Sequence, residues 1–324
     1  MYGAVPSLVE TDVRFAAFPD GSVDTYYRIT DADRRWLTKA EFRERITGAR
    51  SREFRAPQRI VDTGGQAVNA AEQAHALGDS VRLDGCLDDP RLTFPFETHS
   101  FGEPTRVDIH EFEDGDLTYA TISDAVANWT HEAFDTVPSA EAYFCGNWAS
   151  VDGMTESLAA LADRLDEGIF VVDPGDVTTA ARDALRDCCA ALSALDDTLP
   201  VYVSLNGREL TAVADAFGVA DEPGAVRPEI GVSGVVRHEE HAATAATRDT
   251  TLAVPNIGPK DPVRQTGGGD RFSAGLAHAL AAGEELDLGD ALALGNCCAS
   301  YYALQGETGT SEELIEFAET YADI

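Results

Sequence analysis

The strongest constraint on the fold is a regular alternation of apolar strands and amphipathic helices in the middle of the chain. Strands that are separated by helices cannot pair as hairpins, so this order predicts a parallel sheet that is covered by helices on both faces. The predicted strands, each with the helix that follows it, are Ala142–Cys145 and Val151–Leu165, Gly168–Asp173 and Thr178–Leu195, and Val201–Leu205 and Glu209–Phe217.

Polar residues stand at the ends of predicted strands, which is where a parallel sheet collects its ligands. Asp173 and Asn206 each end a strand of the central alternation. Nearer the amino terminus, Val13–Ile29 predicts a strand, a turn and a second strand, and Asp24 interrupts the second β-forming run. Asp24 therefore faces either the ligand crevice or solvent, and the residues alone leave both open.

A glycine-rich stretch near the carboxyl end of the chain, Thr266–Gly275, predicts an anion site. Gly267, Gly268 and Gly269 lead into Asp270, and an apolar helical pattern follows. The glycines let backbone N–H groups converge and let a ligand approach, and the positive end of the helix dipole points to the same place. A carboxylate beside a bound phosphate is placed to take a proton from an attacking hydroxyl. The alternative is a glycine turn in which Asp270 only caps the helix.

A second glycine pair precedes another predicted helix. Gly64 and Gly65 come before a segment with an alanine face, which makes a second place where a ligand can approach the backbone. Asn69 lies on the first turn of this helix, and its amide can donate to a sugar hydroxyl or accept from one. The alternative is a helix-start residue that bonds its own backbone.

The segment Arg106–Ser123 predicts a β-hairpin whose turn is Glu113–Asp116. Its strands carry few apolar residues on one face, so we expect the hairpin to lie outside the main sheet. A lid or a dimer contact would explain such a hairpin. Before it, a short helix is predicted at Lys39–Ile46.

Composition argues against two classes of function. The 324 residues carry a net charge of −33, and the acidic residues are spread along the chain. Nucleic-acid binding needs basic patches, so this charge argues against it. It is typical of a surface that stays solvated at high ionic strength, as in halophiles. No apolar run is long enough to cross a membrane.

The amino terminus and the cysteines predict a cytoplasmic protein. Residues 1–12 lack the basic and apolar regions of a signal peptide. The six cysteines form no Cys-x-x-Cys pair, so we expect buried thiols and neither a zinc site nor a disulfide framework. His238 and His241 suggest a metal-dependent hydrolase, but no third ligand follows at a useful spacing, and a polar loop is the simpler interpretation.

Three segments in order resemble the PfkB, or ribokinase-like, family of carbohydrate kinases. The resemblance covers most of the chain, and the order and spacing of the motifs agree. It implies one domain over residues 1–324, an α/β three-layer sandwich with a mostly parallel central sheet and a small β lid built from segments near 25–60 and 88–123. The matching segments are Gly64-Gly65-x-x-x-Asn69-x-Ala71, Asn206-Gly207-Arg208-Glu209, and Thr266-Gly267-Gly268-Gly269-Asp270 followed by Phe272.

The resemblance implies a phosphotransferase that moves the terminal phosphate of ATP or ADP to a hydroxyl of a sugar or sugar phosphate. Asp270 would be the general base, and Gly267, Gly268 and Gly269 would form an anion hole for the transferred group. A nucleoside kinase of the same fold and a non-catalytic relative that binds sugars or nucleotides are the alternatives. A degenerate binder would be expected to lose the base.

The resemblance also implies binding residues. Mg²⁺ would act through its waters, because magnesium favours oxygen ligands and keeps water. The lid implies a contact for a homodimer. The chain has no Gly-x-x-x-x-Gly-Lys loop, so it would not be a P-loop kinase. The implied residues are Asp24, Gly64, Gly65 and Asn69 for the sugar, Asn206 and Asn296 for the nucleotide, and Glu209 for Mg²⁺ through water.

The chain departs from the family pattern at two places. The segment Ile230–His238 stands where a Thr-x-Gly element usually precedes the signature, which leaves ATP and ADP both open as donors. Arg271 follows the base, where a small residue is common, and a cation there opposes the helix dipole. Arg271 either anchors the helix by pairing with a carboxylate or reaches a second phosphate. The first interpretation is favoured because ion pairs are common in so acidic a chain.

Overall fold

The predicted parallel sheet is present in the computed structural model of the chain, which describes residues 2–48, 54–134, 137–258, 263–264, 266–283 and 287–320. Within these residues the strands fall into two sheets. The strands are β1 (Arg14–Phe18), β2 (Ser22–Arg28), β3 (Gln58–Gly64), β4 (Ser80–Gly85), β5 (Glu97–Ser100), β6 (Thr105–Phe112), β7 (Gly115–Thr121), β8 (Ala142–Gly146), β9 (Ile169–Asp173), β10 (Val201–Asn206), β11 (Gly234–His238), β12 (Ala242–Thr247) and β13 (Thr251–Pro255).

The large sheet has nine strands in the order β13-β12-β11-β10-β9-β8-β1-β4-β5. All neighbours from β11 to β5 pair in parallel, and only β12 and β13 add antiparallel strands at one edge. The prediction of a mostly parallel central sheet is therefore confirmed. Its parallel strands end on the same side, so the residues after β8, β9 and β10 meet at one edge.

The helices form two layers, one on each face of this sheet. Successive residues of β1 show the division, because Phe15 and Ala17 join one apolar core and Ala16 and Phe18 join the other. The helices are α1 (Val5–Leu8), α2 (Lys39–Thr47), α3 (Gln66–Ala76), α4 (Asp124–Ala127), α5 (Met154–Leu161), α6 (Arg182–Asp196), α7 (Gly207–Phe217), α8 (Pro223–Ile230), α9 (Gly268–Ala282), α10 (Leu288–Gln305) and α11 (Ser311–Thr320).

The small sheet has the order β3-β2-β6-β7 and contains the predicted hairpin as β6 and β7. It lies outside the large sheet, as the hairpin's weak apolar pattern indicated. Of the predicted lid segment near 88–123, β6 and β7 lie in this sheet, whereas β5 pairs in parallel with β4 and extends the large sheet. The other predicted lid segment, near 25–60, includes residues 49–53, which lie outside the described residues.

Two glycines allow α9 and α10 to pack closely, which fixes the helix that carries Asp270. A Cβ on Gly275 would lie 2.8 Å from Sγ of Cys298, and a Cβ on Gly295 would lie 2.9 Å from the ring of Phe272. Contacts this short are not tolerated in a packed interior. Small residues at these two positions therefore set the distance between the helices.

The six cysteines are free and buried, as predicted. Burial raises the pKa of each of their thiols. Within the described ranges, no helix combines the length and the apolar character that crossing a bilayer requires.

A buried ion pair at the far end of α9 should make stability depend on pH. Nδ1 of His278 lies 2.9 Å from Oδ1 of Asp79, and its Nε2 lies 3.1 Å from the carbonyl of Leu8. Burial lowers the pKa of His278, but the bonds to Asp79 and Leu8 and the charge of Asp12 outweigh burial and raise it. The protonated imidazole therefore stabilises the fold below its usual pKa near 6.5, and this contribution is lost as the pH rises through the raised value.

We expect the unfolding temperature to fall between about pH 6 and pH 9 and to fall less in His278→Gln. Thermal melts across this range check the prediction, and equal slopes in both proteins would contradict it.

Candidate active site

The general base proposed from the sequence, Asp270, lies in the first turn of α9 and is buried. Its Oδ2 accepts a hydrogen bond from Nδ2 of Asn69 at 2.7 Å, and its Oδ1 accepts one from Nε2 of Gln66 at 3.2 Å. Burial and the nearby charge of Asp173 raise the pKa of Asp270 to about 6, against the opposing effects of Asn69, Arg271 and Gln66. A carboxylate with such a pKa is ionised at neutral pH and can still accept a proton.

Asn69 reaches across to α9, so its side chain does not serve as the local helix-start bond that was one alternative. The start of its helix, α3, is held from elsewhere. Oδ2 and Oδ1 of Asp20 accept from the backbone N–H groups of Gln66 and Ala67 at 3.1 and 2.8 Å. Asp20 thus supplies the N-terminal cap that Gly65 lacks.

The glycine loop has the geometry of an anion site at the start of α9. Gly267 is the N-cap, with a φ of 90°, and no side chain caps the helix within this turn. The first amides of a helix have no acceptor inside the helix, so they point forward to whatever lies there. A Cβ on Gly268 would meet nothing closer than 4.0 Å, whereas a Cβ on Gly269 would lie 2.9 Å from Cε1 of His238. Gly268 therefore borders open space and Gly269 is held against a side chain.

Asp24 faces the interior, which decides between the two orientations left open by the sequence. Oγ of Ser22 donates to its Oδ1 at 2.5 Å, and burial raises the pKa of Asp24 to about 6. Gly64 is required here because a Cβ would overlap the carboxylate of Asp24. Gly65 has a φ of 100°, and a Cβ there would lie 2.8 Å from Cα of Gly21. Gly64 therefore leaves room for the Asp24 carboxylate of β2, and Gly65 allows the close approach of the β1–β2 loop.

A polar cavity of about 210 Å³ opens between the small sheet and α9. Its acidic groups outnumber its basic ones, and both arginines are paired. Nη1 of Arg264 lies 2.9 Å from Oδ2 of Asp62, and Nη2 of Arg271 lies 3.4 Å from Oε2 of Glu72. The charged and polar lining consists of Asp24, Tyr26, Asp62, Thr63, Asn69, Glu72, Arg264, Thr266, Arg271, Tyr302, Glu307 and Thr308.

Arg271 makes the contacts of an anchoring residue. Its Nε donates to Oγ1 of Thr308 at 2.9 Å, its Nη1 donates to the carbonyl of Gly267 at 3.1 Å, and its guanidinium stacks 3.7 Å from the ring centre of Tyr302. With the ion pair to Glu72, these contacts occupy all three guanidinium nitrogens. The interpretation of Arg271 as an anchor is the one that these contacts favour.

On the other side of Asp270 lies a cleft of about 1010 Å³. Gly268, Gly269 and Asp270 line it, together with Asn206 and Glu209. The cleft also contains Asn296, whose buried Nδ2 donates to the carbonyls of Val254 and Pro255 at 3.3 and 3.4 Å. The glycine loop therefore faces the larger of these two spaces.

The Asn-x-x-Glu motif is a capping box at the start of α7. Oδ1 of Asn206 accepts from the backbone N–H of Glu209 at 3.1 Å, and Oε2 of Glu209 accepts from that of Asn206 at 2.8 Å. Burial and the charge of Asp173 raise the pKa of Glu209 to about 8. The motif thus holds a carboxylate close to other acids at the cleft.

His238 is the last residue of β11, so the prediction of a polar loop over His238–His241 is wrong at its first residue. The ring packs 5.2 Å from that of Phe272, and burial lowers the pKa of His238 to about 4. Over the ranges that the structure describes, no group of three or more His, Cys, Asp or Glu residues could hold a metal ion.

The sequence interpretation missed three residues that connect the site. Asp20 was interpreted only as part of a turn, and Gln66 and Asn147 were not considered. Oε1 of Gln66 accepts from the backbone N–H of Asn147 at 2.5 Å, and Nδ2 of Asn147 donates to Oδ2 of Asp20 at 3.0 Å. The one available signal was position, since Asn147 directly follows the carboxyl end of β8 and Asp20 follows that of β1 after Pro19.

Comparison with known proteins identifies the family. The family model for prokaryotic ketohexokinase matches residues 23–321. The chain belongs to the prokaryotic ketohexokinase family. It is a PfkB-type carbohydrate kinase, as the three motifs predicted. The ketohexokinase of Haloferax volcanii is 29% identical to this chain over 337 aligned positions. The alignment covers 93% of this chain and 86% of the Haloferax protein.

Solved structures share the fold of this ketohexokinase-family chain. Ribokinase from Thermotoga maritima has a TM-score of 0.69 at 19% identity, and the match covers 95% of this chain and 99% of the ribokinase. Fructokinase with bound ATP from Xylella fastidiosa has a TM-score of 0.69 at 12% identity, and the match covers 96% of this chain and 99% of the fructokinase. Burkholderia thailandensis nucleoside kinase in complex with inosine has a TM-score of 0.66 at 20% identity, and the match covers 94% of this chain and 98% of the nucleoside kinase. The ribokinase-like fold expected from the sequence is therefore confirmed.

Proposed function

We propose that this protein transfers the terminal phosphate of ATP to a hydroxyl of an unphosphorylated ketohexose, with Asp270 as the general base. The observation that carries the proposal is the position of Asp270 between two spaces. Asp270 lines the large cleft at the glycine loop, and its hydrogen-bond partner Asn69 lines the polar cavity. A base in this position separates a donor in the cleft from an acceptor in the cavity.

The proposed reaction needs few groups from the protein. The Asp270 carboxylate takes the proton of the acceptor hydroxyl, and the oxygen of that hydroxyl forms a bond to the γ-phosphorus. The bond from the γ-phosphorus to the β–γ bridging oxygen breaks, and ADP leaves with that oxygen. The amides that follow Gly267, including those of Gly268 and Gly269, stabilise the charge on the transferred phosphoryl group.

The charge of the polar cavity supports a neutral acceptor. Asp24, Asp62, Glu72 and Glu307 line it against two arginines that are already paired. A phosphate on the acceptor would meet repulsion there, whereas sugar hydroxyls can donate to the carboxylates. We therefore propose Asp24 and Asn69 as sugar ligands, with Gly64 and Gly65 shaping the approach, and we favour a free sugar over a sugar phosphate.

An acceptor screen tests this function. Purified protein in molar KCl is offered fructose, fructose phosphates, ribose and nucleosides with either ATP or ADP as donor. We expect phosphorylation of fructose with ATP. Preference for a nucleoside would support the nucleoside kinase alternative, and binding without turnover of any acceptor would support a non-catalytic relative.

The acids around the cleft fit a dication that is held mainly by nucleotide phosphates and water. Burial, and after it the charge of Asp173, raises the pKa of Glu209. Such oxygen groups suit Mg²⁺, and Asn206 keeps the Glu209 carboxylate oriented. Mg²⁺ would neutralise charge on the donor phosphates when bound. We propose that Glu209 binds Mg²⁺ through a water molecule. We also propose that Asn206 and Asn296, which line the cleft, border the nucleotide.

Replacing Glu209 by glutamine should raise the Mg²⁺ concentration for half-maximal rate by about tenfold, because a charge beside the metal waters is lost. Glutamine keeps an oxygen acceptor for the N–H of Asn206, so the change in unfolding temperature should be small. Mg²⁺ titrations of the rate check this prediction. Glu222→Gln, an exposed acid before α8, is the matched control. An unchanged Mg²⁺ requirement would make Glu209 a structural cap.

The small sheet is proposed as a lid over the polar cavity and as the contact of a homodimer. Among its described side chains, apolar ones are exposed to solvent, which is typical of a surface that another surface covers. They are Ile60, Val61, Leu117 and Tyr119.

The free thiols agree with a reducing compartment, and we propose that the protein is cytoplasmic. From its net charge, we propose that it is adapted to high salt.

A further inference from the structure

The side chain of Gln66 joins three segments at the centre of the site. Its Nε2 donates to Oδ1 of Asp173 at 2.8 Å and to Oδ1 of Asp270 at 3.2 Å. Its Oε1 accepts from the backbone N–H of Asn147 at 2.5 Å. The nitrogen thus faces two acceptors and the oxygen faces a donor, so each end of this amide has partners of the opposite kind.

Glycines of the surrounding backbone leave room for this side chain. A Cβ on Gly146 would lie 2.7 Å from Cβ of Gln66. Gly175, with a φ of 73°, would place a Cβ 3.3 Å from Oε1. Asn147 takes a left-handed conformation with a φ of 62°, which is uncommon for a residue with a side chain. The two glycines and the left-handed Asn147 thus all accommodate the side chain of Gln66, which indicates that the fold holds this side chain in one position.

Electrostatics explain why an amide stands at this position. Asp173 and Asp270 are buried acids, and the charge of Asp173 raises the pKa of Asp270. Asp20 and Asp24 add negative charge from the β1–β2 loop and β2, while Arg271 on α9 opposes them. An amide nitrogen between two carboxylates gives each a donor and keeps them apart without adding charge.

We infer that Gln66 is a positioning residue for phosphoryl transfer, which aims the carboxylate of Asp270 and holds it apart from Asp173. This inference rests on the proposed role of Asp270 as the base. Gln66 acts through Asp270, so its loss should slow the chemical step more than it weakens binding of the acceptor.

The test compares Gln66→Met with the unaltered protein. Methionine has a similar size and cannot donate to either carboxylate. We expect kcat to fall about 10- to 100-fold, while KM for the acceptor stays within about twofold. The acid limb of the pH profile of kcat/KM should move to higher pH, because Asp270 loses a donor and faces Asp173 directly. A residue with a merely structural role would not move this limb.

Gln73→Met is the matched control. Gln73 is a buried glutamine on the same helix, α3, and its Nε2 donates to the carbonyl of Gly309 at 3.1 Å. Neither Gln73 nor Gly309 lines the cleft or the polar cavity. Its replacement should change the unfolding temperature without moving the acid limb. Gln66→Asn decides the question if Gln66→Met does not fold, because it keeps an amide but is too short to reach both carboxylates, and it should show the same shift.

The outcomes separate this inference from the proposed function. If Asp270→Ala is inactive but the Gln66 variants keep kcat and the acid limb, the role of Gln66 is wrong and the base stands. If Gln66→Met instead raises the acceptor KM alone, Gln66 binds the acceptor and the inference is also wrong. If Asp270→Ala retains full activity, the proposed function itself fails.

Discussion

Replacing Asp270 by alanine should lower kcat by about 10²- to 10⁴-fold, the loss expected when a general base is removed. Asp270 is the buried carboxylate whose partners, Asn69 and Gln66, orient it in the first turn of α9. The variant keeps the amides of the glycine loop, so binding of the nucleotide should persist. Steady-state rates with the acceptor and donor found in the screen check the prediction.

The variant should remain folded, for an electrostatic reason. The pKa of Asp270 is raised to about 6 in the folded protein, above the usual value near 4. A raised acid pKa means that ionisation destabilises the fold as the pH rises through that value, so at pH 8 the charged group opposes folding. Removing it should not lower the unfolding temperature at that pH.

Asp183→Ala is the control for loss of an acid, because Asp183 is exposed in the first turn of α6. Its rate should match that of the unaltered protein. If the folded Asp270→Ala variant turns over nearly normally, Asp270 is not the base.

Replacing Gly268 by alanine should lower kcat/KM for the nucleotide by about 10²-fold while the fold stays intact. A Cβ at this position meets nothing closer than 4.0 Å, so the unliganded protein has room for it. Gly268 lies on the cleft at the start of α9, where the terminal phosphate of the donor is proposed to sit. The methyl group would then occupy space that the phosphate needs, and it would hold the phosphate away from the amides.

Gly224→Ala is the matched control for Gly268→Ala. Gly224 is also near the start of a helix, α8, and a Cβ there would lie 3.5 Å from Oγ1 of Thr251, which is an ordinary contact. It does not line the cleft. Both variants should melt close to the unaltered protein. If the nucleotide kinetics of Gly268→Ala are also unaltered, the anion site does not lie at this glycine.

The fold class could be predicted because periodicity is a local property of the sequence. The strands at 142–146, 169–173 and 201–206 were placed to within one residue of their observed bounds. Helix bounds were less accurate, since α5 begins at Met154 and not at Val151. The antiparallel strands β12 and β13 were not predicted. β12 consists of alanine and threonine alone, which carry little periodic signal.

The resemblance to PfkB kinases could be recognised because its glycines and acids stand at fixed offsets along the chain. Those motifs led to Asp270, Asn69 and Glu209, which the structure brings to adjoining spaces at one edge of the sheet. Their catalytic and binding roles remain proposals. The sheet that the edge strand β5 joins was not predicted, because a four-residue strand with no alternation does not reveal its partner.

By itself, the sequence determined the parallel sheet, the glycine loop ahead of Asp270 and the acidic surface, since these depend on residue type and local spacing. Only the tertiary structure decided which side chains meet. It turned Asp24 inward, engaged Arg271 with Glu72 and Thr308, and placed Gln66 between Asp173 and Asp270. Those contacts join residues far apart in the chain, and their hydrogen bonds and pKa shifts arise from burial, which no local pattern encodes.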